Sequence, residues 1–373
     1  MNVPLSILDL SPISAGSDAP TALRNTVDLA RRAERWGYRR FWLAEHHFVA
    51  VASSSPAVLI GQIAAATQRI NVGAAAVQVG FSTAIAVVES FGTLEAFHPG
   101  RIDLGVGRSG QRRYQAVRTE NSVPQQNPCS QWREVGGVVV PPPVDVGALM
   151  RNPRLAATLP VLQQPEAVAP DFADQVDDIL ALVDGDFQAG GFAAHAVPGE
   201  GTGLTPWIFG SGKGQSAEVA GTRGLPFVAS YHITPATALD AIDAYRAAFT
   251  PSARLPEPYV VVSADVVVAD DTATARHLAS SYGHWVHSIR VDGGAAPYPD
   301  PDECPPLTGE QLAAVKDRTA TQFVGDPDEV AHRLDTLRRV SGADELVVTS
   351  VTHRHADRLR SHELLARRWG IAR

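Results

Sequence analysis

With 45% hydrophobic and 19% charged residues among 373, the chain holds enough apolar material for a large core, which excludes disorder throughout. Its 32 Lys plus Arg against 40 Asp plus Glu leave a net charge of -8, which argues against nucleic acid as a partner. Cys129 and Cys304 share no ligand spacing, no apolar run approaches the roughly 18 residues of a membrane span, and the start lacks a basic leader, so a cytoplasmic protein with no membrane association is expected.

Short aliphatic runs alternate with amphipathic stretches along the chain, the pattern of an α/β fold with a parallel sheet. Val3 to Leu10 reads as a first strand and Thr21 to Trp36 as a helix with Leu23, Val27, Ala30 and Ala33 on one stripe, stopped by Gly37. Strand two follows at Arg39 to Ala44, a helix at Ser55 to Thr67, strand three at Ile70 to Val79, a helix at Ala84 to Phe97 and strand four at Arg101 to Val106. From Ser109 to about Pro170 the rhythm gives way to Pro-rich sequence with short helix-like pieces, and a segment of that length inside a domain reads as a functional insertion. A helix at Phe172 to Val183 restores the alternation. Strand five is Trp207 to Phe209, strand six Pro226 to Ser230, strand seven Tyr259 to Ala269 and strand eight Glu345 to Ser350. Helices are expected at Gln215 to Arg223, Pro235 to Phe249, Thr272 to Ile289, Thr308 to Lys316, Asp328 to Val340 and Ala356 to Trp369, with a second loop at Arg290 to Leu307. Eight strand–helix units make a (β/α)8 TIM barrel, one domain over 1–373 with insertions after strand four (about 109–170) and strand seven (290–307).

Chemistry in such a barrel sits at the carboxyl ends of the strands. Strand two ends in Glu45-His46-His47-Phe48, where one imidazole facing the mouth leaves its neighbour to pack or hydrogen-bond behind it. A metal centre there needs a third ligand such as His232, His353 or His355, and no metal is expected. Strand three ends in Gly73-Ala74-Ala75-Ala76, small enough for a flat ring to approach the backbone. Gly105-Val106-Gly107-Arg108-Ser109-Gly110 satisfies the dinucleotide spacing, but Pro-rich sequence follows where a second strand is required, so Arg108 is kept only as an anion contact. Gly210-Ser211-Gly212-Lys213-Gly214-Gln215-Ser216 offers amides, hydroxyls and a lysine at a helix start, a plausible phosphate cradle as well as an ordinary loop.

These pieces, in this order, together with Gly100-Arg101-Ile102-Asp103-Leu104, Gly224-Leu225-Pro226-Phe227 and Gly342-Ala343-Asp344-Glu345-Leu346, resemble the bacterial-luciferase-like flavin-dependent monooxygenases. The resemblance implies FMN, supplied reduced by a separate reductase, reacting with O2 to give a C4a-hydroperoxide that oxygenates a small organic substrate. It implies His46 as the catalytic proton-transfer group, Ala75 and Ala76 as a non-prolyl cis peptide under the flavin, and Arg108, Gly210, Ser211, Gly212, Lys213 and Ser216 around the FMN phosphate. Tyr231 and His232 are candidates to line the substrate pocket, with Arg290 to Leu307 as a lid that excludes water. Luciferase has a reactive cysteine where Gly107 stands, so light emission is not implied. Relatives pair through their second and third helices, which implies a homodimer. Two other readings stay open: a deazaflavin-dependent hydride-transfer enzyme of the same superfamily, and a non-catalytic flavin-binding protein.

Overall fold

The computed structural model describes residues 3–108, 131–144 and 152–372. In chain order the strands are β1 (Leu5–Asp9), β2 (Arg40–Leu43), β3 (Asn71–Ala74), β4 (Val77–Gln78), β5 (Ile102–Gly107), β6 (Arg133–Val135), β7 (Val138–Val140), β8 (Gln188–Ala189), β9 (Phe192–Ala193), β10 (Pro206–Gly210), β11 (Phe227–Ala229), β12 (Val260–Val268), β13 (Phe323–Gly325) and β14 (Glu345–Thr349). The helices are α1 (Ala19–Trp36), α2 (Pro56–Ala66), α3 (Ala84–Phe97), α4 (Pro153–Thr158), α5 (Phe172–Asp184), α6 (Gln215–Thr222), α7 (Ala238–Ala248), α8 (Thr272–Ala279), α9 (Tyr282–Val291), α10 (Gly309–Thr319), α11 (Pro327–Ser341) and α12 (His355–Trp369). The pairings β1–β2–β3–β5–β10–β11–β12–β14–β1 are all parallel and close the sheet on itself, which is the expected eight-stranded barrel. Among the described residues no helix is long and apolar enough to cross a membrane.

Local chemistry sets the elements. Asp18 caps α1 by accepting from the Thr21 amide at 2.8 Å, and Gly37 ends the helix at φ 87°. A Cβ on Gly37 would lie 2.3 Å from the Ile371 carbonyl oxygen, so a side chain is excluded by space as well as by conformation. All nine residues of β12 are buried, as expected of a strand covered by side chains within the barrel and by helices outside it. At Gly105 a Cβ would lie 1.8 Å from the Ala74 carbonyl oxygen, a close approach that brings β3 and β5 together beneath the mouth.

The barrel interior is layered. Leu8, Trp42, Trp207, Val228, Val261 and Val347 form an apolar plug. At the amino-terminal ends of the strands lies a polar floor: Arg40 is 3.5 Å from both Asp103 and Glu345, Tyr259 donates to Glu345 at 3.0 Å, and Ser6 donates to the same carboxylate. Burial pushes the Asp103 carboxyl up to about 6.

Two local expectations are corrected and one strand is added. The helix expected from Thr272 to Ile289 breaks into α8 and α9 at Ser280-Ser281, where the Ser280 hydroxyl donates to the His277 carbonyl and competes with the backbone ladder. The break turns Tyr282 and Trp285 against Tyr298 in a separate apolar cluster. The insertion after the fourth barrel strand is not only short helix: β6 and β7 form an antiparallel hairpin about Gly136-Gly137, docked on Thr336 and Val340 of α11. Its segments 109–130, including Cys129, and 145–151 lie outside the described residues. Finally, β13 adds a parallel strand to the far end of β12.

Candidate active site at the barrel mouth

Beyond β2 the chain is held open by its own hydrogen bonds. The His46 amide donates to the Ser53 carbonyl at 2.9 Å, the Ser53 hydroxyl donates to the Ala44 carbonyl, and Phe48 adopts φ 62°. Glu45 organises the segment. One carboxylate oxygen accepts the Gln78 amide at 2.9 Å, and the other lies 2.9 Å from His47 Nε2. His46 and His47 both line a cavity of about 820 Å³, counting its open mouth.

The walls of this cavity come from both insertions and from α9. Leu155, Leu159 and Leu162 close one side, Trp285 and Ile289 another, and Gly293 to Ala295 pass over it. Asn152 donates to the Val291 carbonyl at 3.0 Å, and Arg154 donates to the Phe48 carbonyl at 2.8 Å. The segment 290–307 is stitched to the loop after β1, because the Tyr298 amide donates to the Ile13 carbonyl and the Tyr298 carbonyl accepts from the Ala15 amide. His353 bridges the same region, 3.1 Å from the Ala15 carbonyl and 3.2 Å from Asp300.

Ala75–Ala76 is a cis peptide bond, and Gly107 faces the Ala76 methyl with no side chain of its own. Across the mouth, Arg108 donates to Gln215 at 2.8 Å, and Gln215 donates to Asp171 at 2.7 and 2.9 Å. The Gln215 hydrogen bonds hold the Asp171 carboxyl below its ordinary range. Gln215 opens α6, whose N-cap is Gly214 with no side-chain cap, so the helix presents its first amides beside Arg108. Ser216 is buried on that first turn, Lys213 is exposed, and the Ser211 carbonyl accepts from Thr237. The expected anion contacts Arg108, Gly210, Ser211, Gly212, Lys213 and Ser216 thus gather around one helix start.

His232 stands beyond the end of β11 with Nδ1 2.5 Å from the Ser263 hydroxyl, and desolvation, with Arg318 and His46 adding like charge, pushes it down to about 3. It is therefore a neutral imidazole at ordinary pH. Tyr231 goes elsewhere: its hydroxyl donates to the Val139 carbonyl of the hairpin at 2.7 Å and its ring packs near Phe323, outside the His46 cavity. Neither Tyr231 nor His232 is among the residues that line the His46 cavity. His355 also turns away, held 3.1 Å from Asp28 and 3.2 Å from Arg358, which in turn donates to buried Asp9. No three His, Cys, Asp or Glu side chains gather as a metal cage among the described residues. Sequence reasoning did not single out Gln78, Gln215 or Arg154, because the partner of each lies 33 or more positions away.

Fold and site together define a barrel enzyme with its chemistry at the carboxyl-terminal mouth. The chain belongs to the luciferase-like monooxygenase family, whose model matches residues 3–134 and 165–345. It is 33% identical to the luciferase-like monooxygenase of Escherichia coli (strain K12), over 97% of this chain and 96% of that protein. It is 36% identical to the uncharacterized protein YvbT of Bacillus subtilis (strain 168), over 98% and 96%. The solved structure of apo-MsnO8 superposes with a TM-score of 0.76 at 29% identity, covering 99% of both chains. More distant structures share the fold: an FMN complex of the oxygenating constituent of 3,6-diketocamphane monooxygenase (TM-score 0.59, 16% identity, 98% of this chain and 97% of that) and an F420-dependent secondary alcohol dehydrogenase (0.56, 17%, 100% of both). The protein is accordingly an enzyme of the luciferase-like monooxygenase family.

Proposed function

We propose that the enzyme is an FMN-dependent, two-component monooxygenase that receives reduced FMN from a separate reductase and oxygenates a small organic substrate with O2, acting in the cytoplasm as a homodimer. The observation that carries the cofactor choice is the uncapped start of α6 beside Arg108. A helix start whose amides lack a side-chain acceptor, next to a guanidinium, suits a phosphate dianion. The donor set therefore fits the FMN phosphate, with Ser211, Gly212, Lys213 and Ser216 completing the cradle. Ala75, Ala76 and Gly107 leave a side-chain-poor floor on which a flat ring can rest.

Bound reduced FMN supplies the electrons that activate O2. The chain's own residues do the rest. His46 moves a proton at its imidazole, a task suited to a side chain whose ordinary titration lies near neutral pH. Glu45 fixes that loop, and His232, held by the Ser263 hydroxyl beyond the end of β11, stays neutral. The leucines of the 152–162 segment and the 290–307 cover keep water away from the reacting atoms.

The test is a binding titration with FMN and with a deazaflavin, followed by anaerobic reduction and an O2 pulse. Tight FMN binding, with O2 consumed and oxygen found in product, supports the proposal. Binding of deazaflavin alone, with no O2 uptake from reduced FMN, favours hydride transfer instead. Flavin binding without turnover across ketones, aldehydes, thioethers and aromatics indicates a non-catalytic carrier.

A further inference from the structure

The lining of the His46 cavity is apolar except at a few places, and most of those are already engaged. Gln78 is taken up by Glu45 at both its amide and its side chain. His47 faces the same carboxylate, and the Thr158 hydroxyl donates to the Arg154 carbonyl. Arg154 differs. It is the one Arg or Lys in the lining, it donates from Nη2 to the Phe48 carbonyl, and no carboxylate lies within ion-pair distance of it among the described residues. A guanidinium carries five N–H donors in a planar fork, so one bond to a carbonyl leaves most of that fork to other acceptors. Opposite it, Gly294 keeps the space open: a Cβ there would lie 2.5 Å from Val49 and 4.0 Å from the Arg154 guanidinium carbon. Leu155, Leu159, Leu162, Trp285 and Ile289 supply the apolar remainder.

We infer that this cavity selects substrates with an apolar body and a single carboxylate, the carboxylate seated on Arg154 and the body between the leucines and Trp285. The assignment rests on the cavity being the substrate site of the monooxygenase proposed above. A mostly apolar pocket with one charge at its exposed rim orients its ligand, because only the charged end of the ligand finds a partner there while the apolar body is covered. An Arg at the rim, where insertion, lid and histidine loop meet, thereby sets which atom of the substrate is presented toward His46.

Isothermal titration of the full chain, with and without oxidised FMN, tests this with three probes of one shape: (benzylthio)acetate, its methyl ester and its primary amide. The acid is expected to bind at least about ten-fold more tightly than either neutral probe, a difference of about 1.4 kcal/mol. Arg154→Gln keeps a donor for the Phe48 carbonyl and removes the charge. It is expected to abolish the preference for the acid while leaving ester affinity within about two-fold. Arg154→Lys retains the charge without the fork and is expected to keep part of the preference. Equal binding of acid and ester by the wild type, or an acid preference that survives Arg154→Gln, overturns the inference. The reading on which it rests fails separately, by absence of O2 uptake from reduced FMN while the acid still binds.

Discussion

Glu45 and Gln78 hold each other by both backbone and side chain: the Gln78 amide donates to the Glu45 carboxylate and the Gln78 side chain donates to the Glu45 carbonyl, each at 2.9 Å. This reciprocal pair fastens the histidine segment after β2 to the strand that follows the Ala75–Ala76 peptide. The proposed proton-transfer group and the proposed flavin floor are therefore tied to each other. Replacing Glu45 with Ala leaves a part-buried Gln78 amide without its acceptor, which costs about 1–3 kcal/mol. Denaturant melts are expected to show that loss. Glu45→Gln retains an acceptor and is expected to recover most of the stability while still disturbing His47. Equal melts for wild type and Glu45→Ala would show that the pair does not matter.

His46 and His47 share the cavity, and His47 is the one whose ring meets the Glu45 carboxylate at 2.9 Å. With His46 as the proton-transfer group, His46→Ala is expected to lower turnover by about 10²–10⁴-fold with an unchanged melting temperature. His47→Ala is expected to act mainly through the position of Glu45, with a smaller loss. Single-turnover O2-pulse experiments on both variants check this, and undiminished turnover in His46→Ala removes it from the mechanism.

Arg108 reaches Gln215 at the uncapped start of α6. If that corner holds a phosphate, Arg108→Ala should weaken FMN by about ten-fold or more and leave riboflavin affinity unchanged, since riboflavin lacks the phosphate. Fluorescence titration of both flavins separates the cases. A parallel loss for FMN and riboflavin would place the phosphate elsewhere.

How much of this was legible beforehand follows from where the signals reside. The barrel strands are short, largely apolar runs bounded by turns, so all eight are readable, and with them the strand ends that carry His46 and Arg108. The hairpin was missed although Gly136-Gly137 separates Arg133-Glu134-Val135 from Val138-Val139-Val140, a recognisable turn signal overshadowed by the Pro-rich run after it. The break at Ser280-Ser281 follows from tertiary packing of Tyr282 and Trp285 on Tyr298, which local periodicity does not encode. Gln215 and Arg154 are ordinary polar residues in sequence. Their significance comes from contacts 107 and 106 positions away.

The floor of the barrel makes a prediction about pH. Asp103 is buried at a layer shared with Glu345 and Arg40, and desolvation raises its carboxyl from 3.8 to about 6 against the attraction of Arg40. Between these two values the folded state binds a proton that the unfolded chain does not. This group therefore costs stability above about pH 6, and the cost is relieved as pH falls through the folded value toward the unfolded one. Half-buried His232 acts in the opposite sense on the pH axis, since its folded value near 3 lies below the ordinary 6.5 and the folded state loses ground as pH falls between them. The two trends overlap in the wild type, so a difference measurement is needed. Against Asp103→Asn, which cannot titrate, the wild type is expected to gain about 2 kcal/mol of relative stability between pH 7.5 and pH 4.5, since each ten-fold difference in proton affinity corresponds to about 1.4 kcal/mol. Urea melts of both proteins at pH 7.5, 6, 5 and 4.5 read this directly. Curves that stay parallel across that range would mean that the Asp103 carboxyl titrates alike in the folded and unfolded chains, and that Arg40 offsets its burial in full.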